Sequence, residues 1–282
     1  EYAYDDYAVA QMAKALHDSC QDASLRQKYL EDYNDLMRRS ENWRNVINPA
    51  TGWADGRYEN GKWENNEDLV HRKSYITEGA TCHYTWYVPQ NPEGLFEVIR
   101  NSKPMDKQEK QIEKMERKME KKGETPVRNE KVIARLDKMF DNGWYWHGNE
   151  PCHQVAYLYD AAGAPEKTQE RVHHILQTEY NDTPGGLSGN DDAGQVSAWY
   201  VFSSIGFYPV CPGTPYYYIG TPSFDKVTLN LENGRKFILS ANRQHMDDYL
   251  IQSATLNGKP FGDYRLSHQQ ILSGGELHFQ MK

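Results

Sequence analysis

The strongest constraint on how this chain can fold is a change of texture near Pro209. Before it, apolar residues recur at helical spacing; after it, short β-type runs alternate with turn formers. Ala8, Met12, Ala15 and Leu16 share one helical face, and Leu25, Tyr29, Tyr33 and Leu36 share another, so both stretches are expected as helices with buried stripes. Further helices are expected over 130–140, 151–162 and 166–180. Pro151 suits a first helical turn, and Gly163 with Pro165 in "AAGAP" marks a stop. The runs "YYYIG", "KVTLNL", "KFILSA" and "YLIQSATLNGKPF", separated by Glu-Asn-Gly and Asn-Gly turns, predict a β-rich tail packed as a small sandwich. The chain is therefore read as mainly α over 1–210, with a β-rich subdomain over 211–282.

Two stretches of the helical part stand apart. Residues 49–68, "PATGWADGRYENGKWENNED", are dense in Gly, Asn and Trp and read as a loop able to form the rim of a site. Residues 103–124, "KPMDKQEKQIEKMERKMEKKGE", carry a charge run with only Ile112, Met115 and Met119 as an apolar stripe. They are expected as a solvated helix or helical arm.

Composition excludes several classes of function. A chain of 282 residues can bury a large core, and no run approaches the roughly 20 apolar residues of a transmembrane helix. A net charge of -8 without a basic face argues against nucleic acid as a partner. Cys20, Cys82, Cys152 and Cys211 form no CxxC pair, so neither a zinc site nor a disulfide scaffold is indicated. The 20 Tyr and 7 Trp suit a ring-bearing ligand such as a carbohydrate, as well as a packed core. The opening "EYAYDDYAVAQMAKAL" reads as the interior of a helix, and the chain start is expected to arise by processing.

Three segments set acids beside glycines at turns that lead into helices. They are "YITEGATCHYTW" with Glu78, "WYWHGNEPCHQ" with Glu150, and "SGNDDAGQVSAWYVF" with Asp191 and Asp192. Exposed amides and the positive end of a helix hold carboxylates ionised there. An ordinary helix cap explains one such segment, and three of the same style point to a site. Inverting glycoside hydrolysis needs one protonated carboxyl and one carboxylate about 6.5–9.5 Å apart, which Glu78 and an aspartate from 191–192 could supply. Adjacent carboxylates raise each other's pKa unless a cation or donors compensate. Asn149, Glu150 and nearby carbonyls are hard oxygen ligands suited to calcium, which takes six to eight oxygens. Glu150-Pro-Cys-His153 and Glu170-Arg-Val-His173 also match the Glu-x-x-His pairing of di-iron bundles, but Pro151 at a helix entrance and the β tail argue against that. "GLSGN" at 186–190 lacks the preceding strand of a nucleophile elbow.

At these residues the sequence resembles glycoside hydrolase family 92, the calcium-dependent exo-acting α-mannosidases. The likeness runs from "EYAYDDY" and "TEG" through "HGNEPCHQVAYLYDAAGAPEKTQERV" and "NDTPGGLSGNDDAGQVSAWYVFSSIGFYPVCPGTPYYYIGTPSFD" to "YLIQSATLNGK". It implies inverting hydrolysis of terminal α-mannosides, with Glu78 as general acid and Asp192 as general base beside Asp191. Asn149 and Glu150 fall in the calcium and substrate neighbourhood, and Trp144, Trp146, His147 and His153 are expected to bind the sugar. Ala80 and Gln154 stand where the family commonly has Asn and His, and 103–124 is expected as an insertion.

The fold implied is part of an (α/α)6 toroid followed by the β tail. The expected partner is a mannose-containing glycan, either an N-glycan or a yeast-type mannan, in a periplasmic, cell-surface or secreted setting. Half a toroid would expose apolar helix faces, to be completed by a missing N-terminal part or a second copy. The alternative is a non-catalytic fragment that binds calcium or mannose.

Overall fold

Tyr2–Ser19 (α1) and Ala23–Arg39 (α2) open the computed structural model, which describes residues 1–125 and 129–282. Asp22 starts α2 by accepting a hydrogen bond from the Leu25 amide. The helices stand where the periodicity places them, but their stripes are not buried as expected. Ala10 and Ala13 of α1 are buried and no residue of α2 is, while Met12 and Leu25 remain 66% and 47% exposed. Small alanines therefore take the deepest positions, and the bulky apolar residues stay on the surface.

Two short strands follow, Ile47–Asn48 (β1) and Trp53–Ala54 (β2), paired antiparallel across the tight turn at Gly52. Thr81–Tyr84 (α3), Pro92–Asn101 (α4), Lys107–Lys121 (α5) and Glu130–Asp141 (α6) complete this part. The charge run is a helix, α5, as predicted, but it is not wholly solvated. Glu109 is fully buried and meets the equally buried Arg135 of α6 through two bonds, Nε to Oε1 at 3.0 Å and Nη2 to Oε2 at 3.1 Å. Lys131, also buried, reaches Glu113 at 3.0 Å and the Ser102 carbonyl at 2.6 Å. Arg135 donates onward to the Thr51 carbonyl at 2.8 Å, so the anchored helix also fixes the turn between β1 and β2. Buried charges persist only where partners compensate their desolvation, and here each has one.

The region expected as one helix over 151–162 is instead two 3-10 turns, Glu150–Cys152 and Val155–Tyr157, followed by Leu158–Ala162 (α7). Gly163, at φ +89, ends α7 as predicted. Pro165–Thr178 (α8) and Gln195–Ile205 (α9) follow.

The β tail comprises Phe207–Tyr208 (β3), Tyr216–Ile219 (β4), Lys226–Asn230 (β5), Lys236–Asn242 (β6), Ile251–Leu256 (β7), Lys259–Pro260 (β8) and Arg265–Ser267 (β9). His268–Leu272 (α10) and Gly275–Met281 (β10) close it. One sheet runs β3-β4-β9 and the other β5-β6-β10-β7-β8. β10 lies parallel to β6 and antiparallel to β7, and the predicted Asn-Gly turn joins β7 to β8 with Asn257 and Gly258 at φ +52 and +76. Phe207, Ile219 and Leu266 from the smaller sheet share one core with Phe237, Leu239, Leu277 and Phe279 from the larger. Each such side chain contributes roughly 1.5–3 kcal/mol by leaving water.

Two compact units emerge, residues 1–145 with 211–214 and residues 146–210 with 215–282. Secondary structure changes near 206, but the unit boundary falls at 145/146. The helices of 158–205 therefore belong with the sheets.

Candidate active site

In the first unit, Glu78 is exposed on a turn whose shape glycine dictates. Gly79 has φ +70, and a Cβ there would stand 2.7 Å from the His83 Nδ1 atom. The Ala80 amide donates to that nitrogen at 3.0 Å, while His83 Nε2 donates to the Trp144 carbonyl at 2.8 Å. His83 is therefore the neutral Nε2–H tautomer, in keeping with burial, which lowers its pKa against the opposing bond to Trp144. It also fastens the half-buried Trp144 segment to the turn that carries Glu78. Beside Thr77 lies a cavity of about 550 Å³ lined by Trp43, Asp55, Tyr75, Tyr84 and Tyr87 among others. Asp55 has its carboxylate engaged by the amides of Gly56 at 2.9 Å and Asn65 at 3.0 Å and by Asn48 Nδ2 at 3.0 Å. The Gly-, Trp- and Asn-rich loop is thus folded around a buried carboxylate.

In the second unit the other two acidic segments come together. Gly148 and Gly189 meet backbone to backbone: a Cβ on Gly148 would lie 2.9 Å from the Gly189 Cα, and one on Gly189 would lie 2.5 Å from the Gly148 oxygen. The Asn149-Glu150 segment and the Asp191-Asp192 loop are thereby set side by side. Asp192, Ala193 and Gly194 have φ values of +45, +58 and +93. Three consecutive left-handed residues, two of them not glycine, make a strained turn that the surrounding bonds must hold. Asp191 Oδ1 accepts from the Ser197 amide at 2.9 Å, and the Asp191 carbonyl accepts from the Val196 amide at 3.2 Å. The Asp191 carboxylate is thus engaged in starting α9, whereas Asp192 is exposed.

His147 and His153, expected to bind sugar, are only 1% and 2% exposed, and their rings face this unit's interior. Burial pushes His147 down to about 3, with His153 adding to the shift. Burial also pushes His153 down to about 4, against the opposing bond to the His147 carbonyl. Both rings are neutral at neutral pH. Trp146 is 43% exposed, Asn149 is buried, and Glu150 is half-buried. Gln154 is buried and donates to the Pro151 carbonyl at 2.9 Å.

The oxygen donors of Asn149 and Glu150 match calcium in kind. Among the described residues no group of three or more His, Cys, Asp or Glu side chains could hold a metal, so these two would supply only part of a shell of six to eight oxygens, the rest coming from carbonyls, water or substrate hydroxyls. Sequence reasoning missed His83, Tyr180 and Gln195, which fasten these segments. The glycines within the motifs were the available signal, since each marks a place where backbone approaches closely.

The glycosyl hydrolase family 92 catalytic domain matches residues 1–282, and the chain belongs to that family. Among solved structures it is similar to the family GH92 α-mannosidase BT3965 of Bacteroides thetaiotaomicron, with a TM-score of 0.80 and 35% identity over all of this chain and 34% of that one. The inverting mannosidase BT2199 of the same organism gives a TM-score of 0.79 and 33% identity over 100% of this chain and 36% of that one. A curated relative, an uncharacterized secreted glycosidase of Arthroderma benhamiae, is 29% identical over all of this chain and 34% of its own length. The 282 residues thus span about a third of the relatives they match.

Proposed function

We propose that this chain supplies catalytic machinery for inverting hydrolysis of terminal α-mannosides, with its helices forming part of an (α/α)6 toroid. The observation that carries the reading is the division of labour between the paired aspartates. Asp191 Oδ1 is engaged by the Ser197 amide at 2.9 Å, while Asp192 stands exposed on the strained turn. Of the pair it is Asp192 that is exposed, and it takes the role of general base and accepts a proton from the attacking water. Glu78, exposed on its glycine turn, is the general acid that protonates the leaving oxygen. Separate carboxyl groups in these two roles define inversion.

Asn149 and Glu150 are the residues that would donate oxygens to a calcium ion, and such an ion supplies positive charge that orients sugar hydroxyls. Trp144 and Trp146 provide aromatic faces for a pyranose ring, while His147 and His153 act from behind. A mannose-containing glycan is the proposed substrate. Support comes from the structure of the α-mannosidase BT3965 in complex with mannoimidazole, to which this chain is 33% identical. A secreted, periplasmic or cell-surface setting agrees with the fungal relative, described as secreted. Among the described residues no helix is long and apolar enough to cross a membrane.

The test is release of mannose from an aryl α-mannoside and from an α-linked mannan, with and without a calcium chelator. Turnover that falls on chelation and returns with added calcium is expected. Chelator-insensitive turnover removes the calcium role, and absence of turnover by the full-length protein removes the mannosidase reading.

A further inference from the structure

Two chains of hydrogen bonds leave His147 and end on the first turn of α9, immediately after the paired aspartates. The first starts at the ring. The Tyr180 hydroxyl donates to the Val196 carbonyl at 3.0 Å, so its single proton is committed. His147 Nε2, 2.5 Å from the same oxygen, must then be the donor to it. The second starts at the His147 carbonyl, which accepts from His153 Nε2 at 3.0 Å. That fixes the His153 proton on Nε2 and leaves Nδ1 as an acceptor for Gln195 Nε2 at 3.3 Å. Gln195 also reaches the Tyr208 hydroxyl at 3.2 Å, and Trp199 Nε1 donates to the His153 carbonyl at 2.9 Å.

The protons of the Tyr180 hydroxyl, His147 Nε2 and His153 Nε2 each meet an acceptor, so turning either ring over would set a carbon where a bonded nitrogen stands and break those bonds. Packing reinforces the order, with the Tyr180 ring stacked on Trp199 at 6.0 Å and His147 edge-on to Trp199 at 4.5 Å. The residues so held directly follow the strained run Asp192-Ala193-Gly194 at φ +45, +58 and +93, and the Gln195 amide donates to the Asp192 carbonyl at 3.3 Å. A turn with two non-glycine residues in the left-handed region persists only where its surroundings over-determine it.

We propose that His147, His153, Tyr180 and Gln195 form a bracket that positions the Asp191–Asp192 loop against the Asn149–Glu150 segment, as positioning residues rather than sugar ligands. The bracket rests on the mannosidase reading for its consequence in turnover. It predicts a specific kinetic signature, because a base displaced by a fraction of an ångström slows the chemical step while leaving ground-state binding nearly intact.

The test is Tyr180→Phe in the full-length protein, which keeps the packed ring and removes both hydrogen bonds of the first chain. Turnover number on an aryl α-mannoside should fall about tenfold, the scale of one to two lost hydrogen bonds, with KM changed by less than about twofold. Hydrogen exchange of the amides of 195–198 should quicken. Gln195→Glu, which replaces the donor facing His153 with an acceptor and is of equal size, should show the same signature if Tyr180→Phe folds poorly. Unchanged exchange in these variants overturns the bracket, and so does faster exchange with wild-type turnover. An inactive parent protein would sink the mannosidase reading, while exchange in Tyr180→Phe would still decide whether the bracket holds the loop.

Discussion

Gly148 and Gly189 touch through their main chains, and neither has room for a side chain: a Cβ on Gly189 would sit 2.5 Å from the Gly148 oxygen. This contact seats the segment carrying Asn149 and Glu150 beside the loop carrying Asp191 and Asp192. Gly189 also has φ +69, which an L side chain adopts only with strain. Gly189→Ala should therefore abolish most turnover and lower the melting temperature, by an amount corresponding to about 1–3 kcal/mol. A variant with wild-type activity and melting temperature would show that the two loops do not need this contact.

The proposed general acid and base differ in how substitution should register. Glu78→Gln removes the proton delivered to the leaving oxygen and should cost about 10²–10⁴-fold on an alkyl mannoside. The loss should be smaller on an aryl mannoside whose leaving group needs no proton. Asp192→Asn should be equally damaging on both substrates. Equal loss for Glu78→Gln on both would remove it from the acid role, and retained turnover in Asp192→Asn would shift the base to Asp191.

The charge run makes a prediction about stability rather than chemistry. Glu109 and Arg135 are both 0% exposed and bonded through two contacts, so Glu109→Gln leaves a buried guanidinium short of its counter-charge. Loss of about 3–5 kcal/mol is expected in urea unfolding. The neighbouring Lys114→Gln, on the exposed side of α5, should stay within about 0.5 kcal/mol of wild type. Similar values for the two variants would show that α5 is held by solvated contacts alone.

Much of this was legible in the chain, and the reasons for the rest are physical. Periodicity located α1, α2, α6 and α8, and the turn chemistry at Gly163 and Asn257-Gly258 located the end of α7 and a hairpin. Periodicity does not say what will cover a face, so Met12 and Leu25 were expected inside and are exposed. Pro151 correctly marked a helical start, but the segment after it winds as 3-10 turns, with the Tyr157 amide donating to the Gln154 carbonyl while the His153 carbonyl accepts from Trp199 Nε1. The acids of the candidate site stood out because glycines flank them. Tyr180 and Gln195 carried no such mark, since their roles exist only once α8 and α9 are folded.

Asp160 gives a pH dependence with a definite sign. Burial pushes its carboxyl well above the usual carboxylate range, with the Thr168 hydroxyl opposing the rise and Glu166 adding to it. A folded pKa above the unfolded one contributes stability that is full below the ordinary value of 3.8 and is lost as pH rises. His147 and His153, whose folded values lie below the ordinary 6.5, act in the opposite sense and lose stability as pH falls below it. Comparing wild type with Asp160→Asn isolates the carboxyl. The variant should gain in relative melting temperature from about pH 4 to pH 8, and a difference that does not change with pH would contradict a buried, protonated Asp160.

The central claim is that Glu78 and Asp192 act as acid and base in a single displacement at an α-mannoside. Proton NMR of the sugar released in the first minutes of reaction tests it most directly, before mutarotation mixes the anomers. β-Mannose appearing first is the predicted result. α-Mannose appearing first would contradict the account.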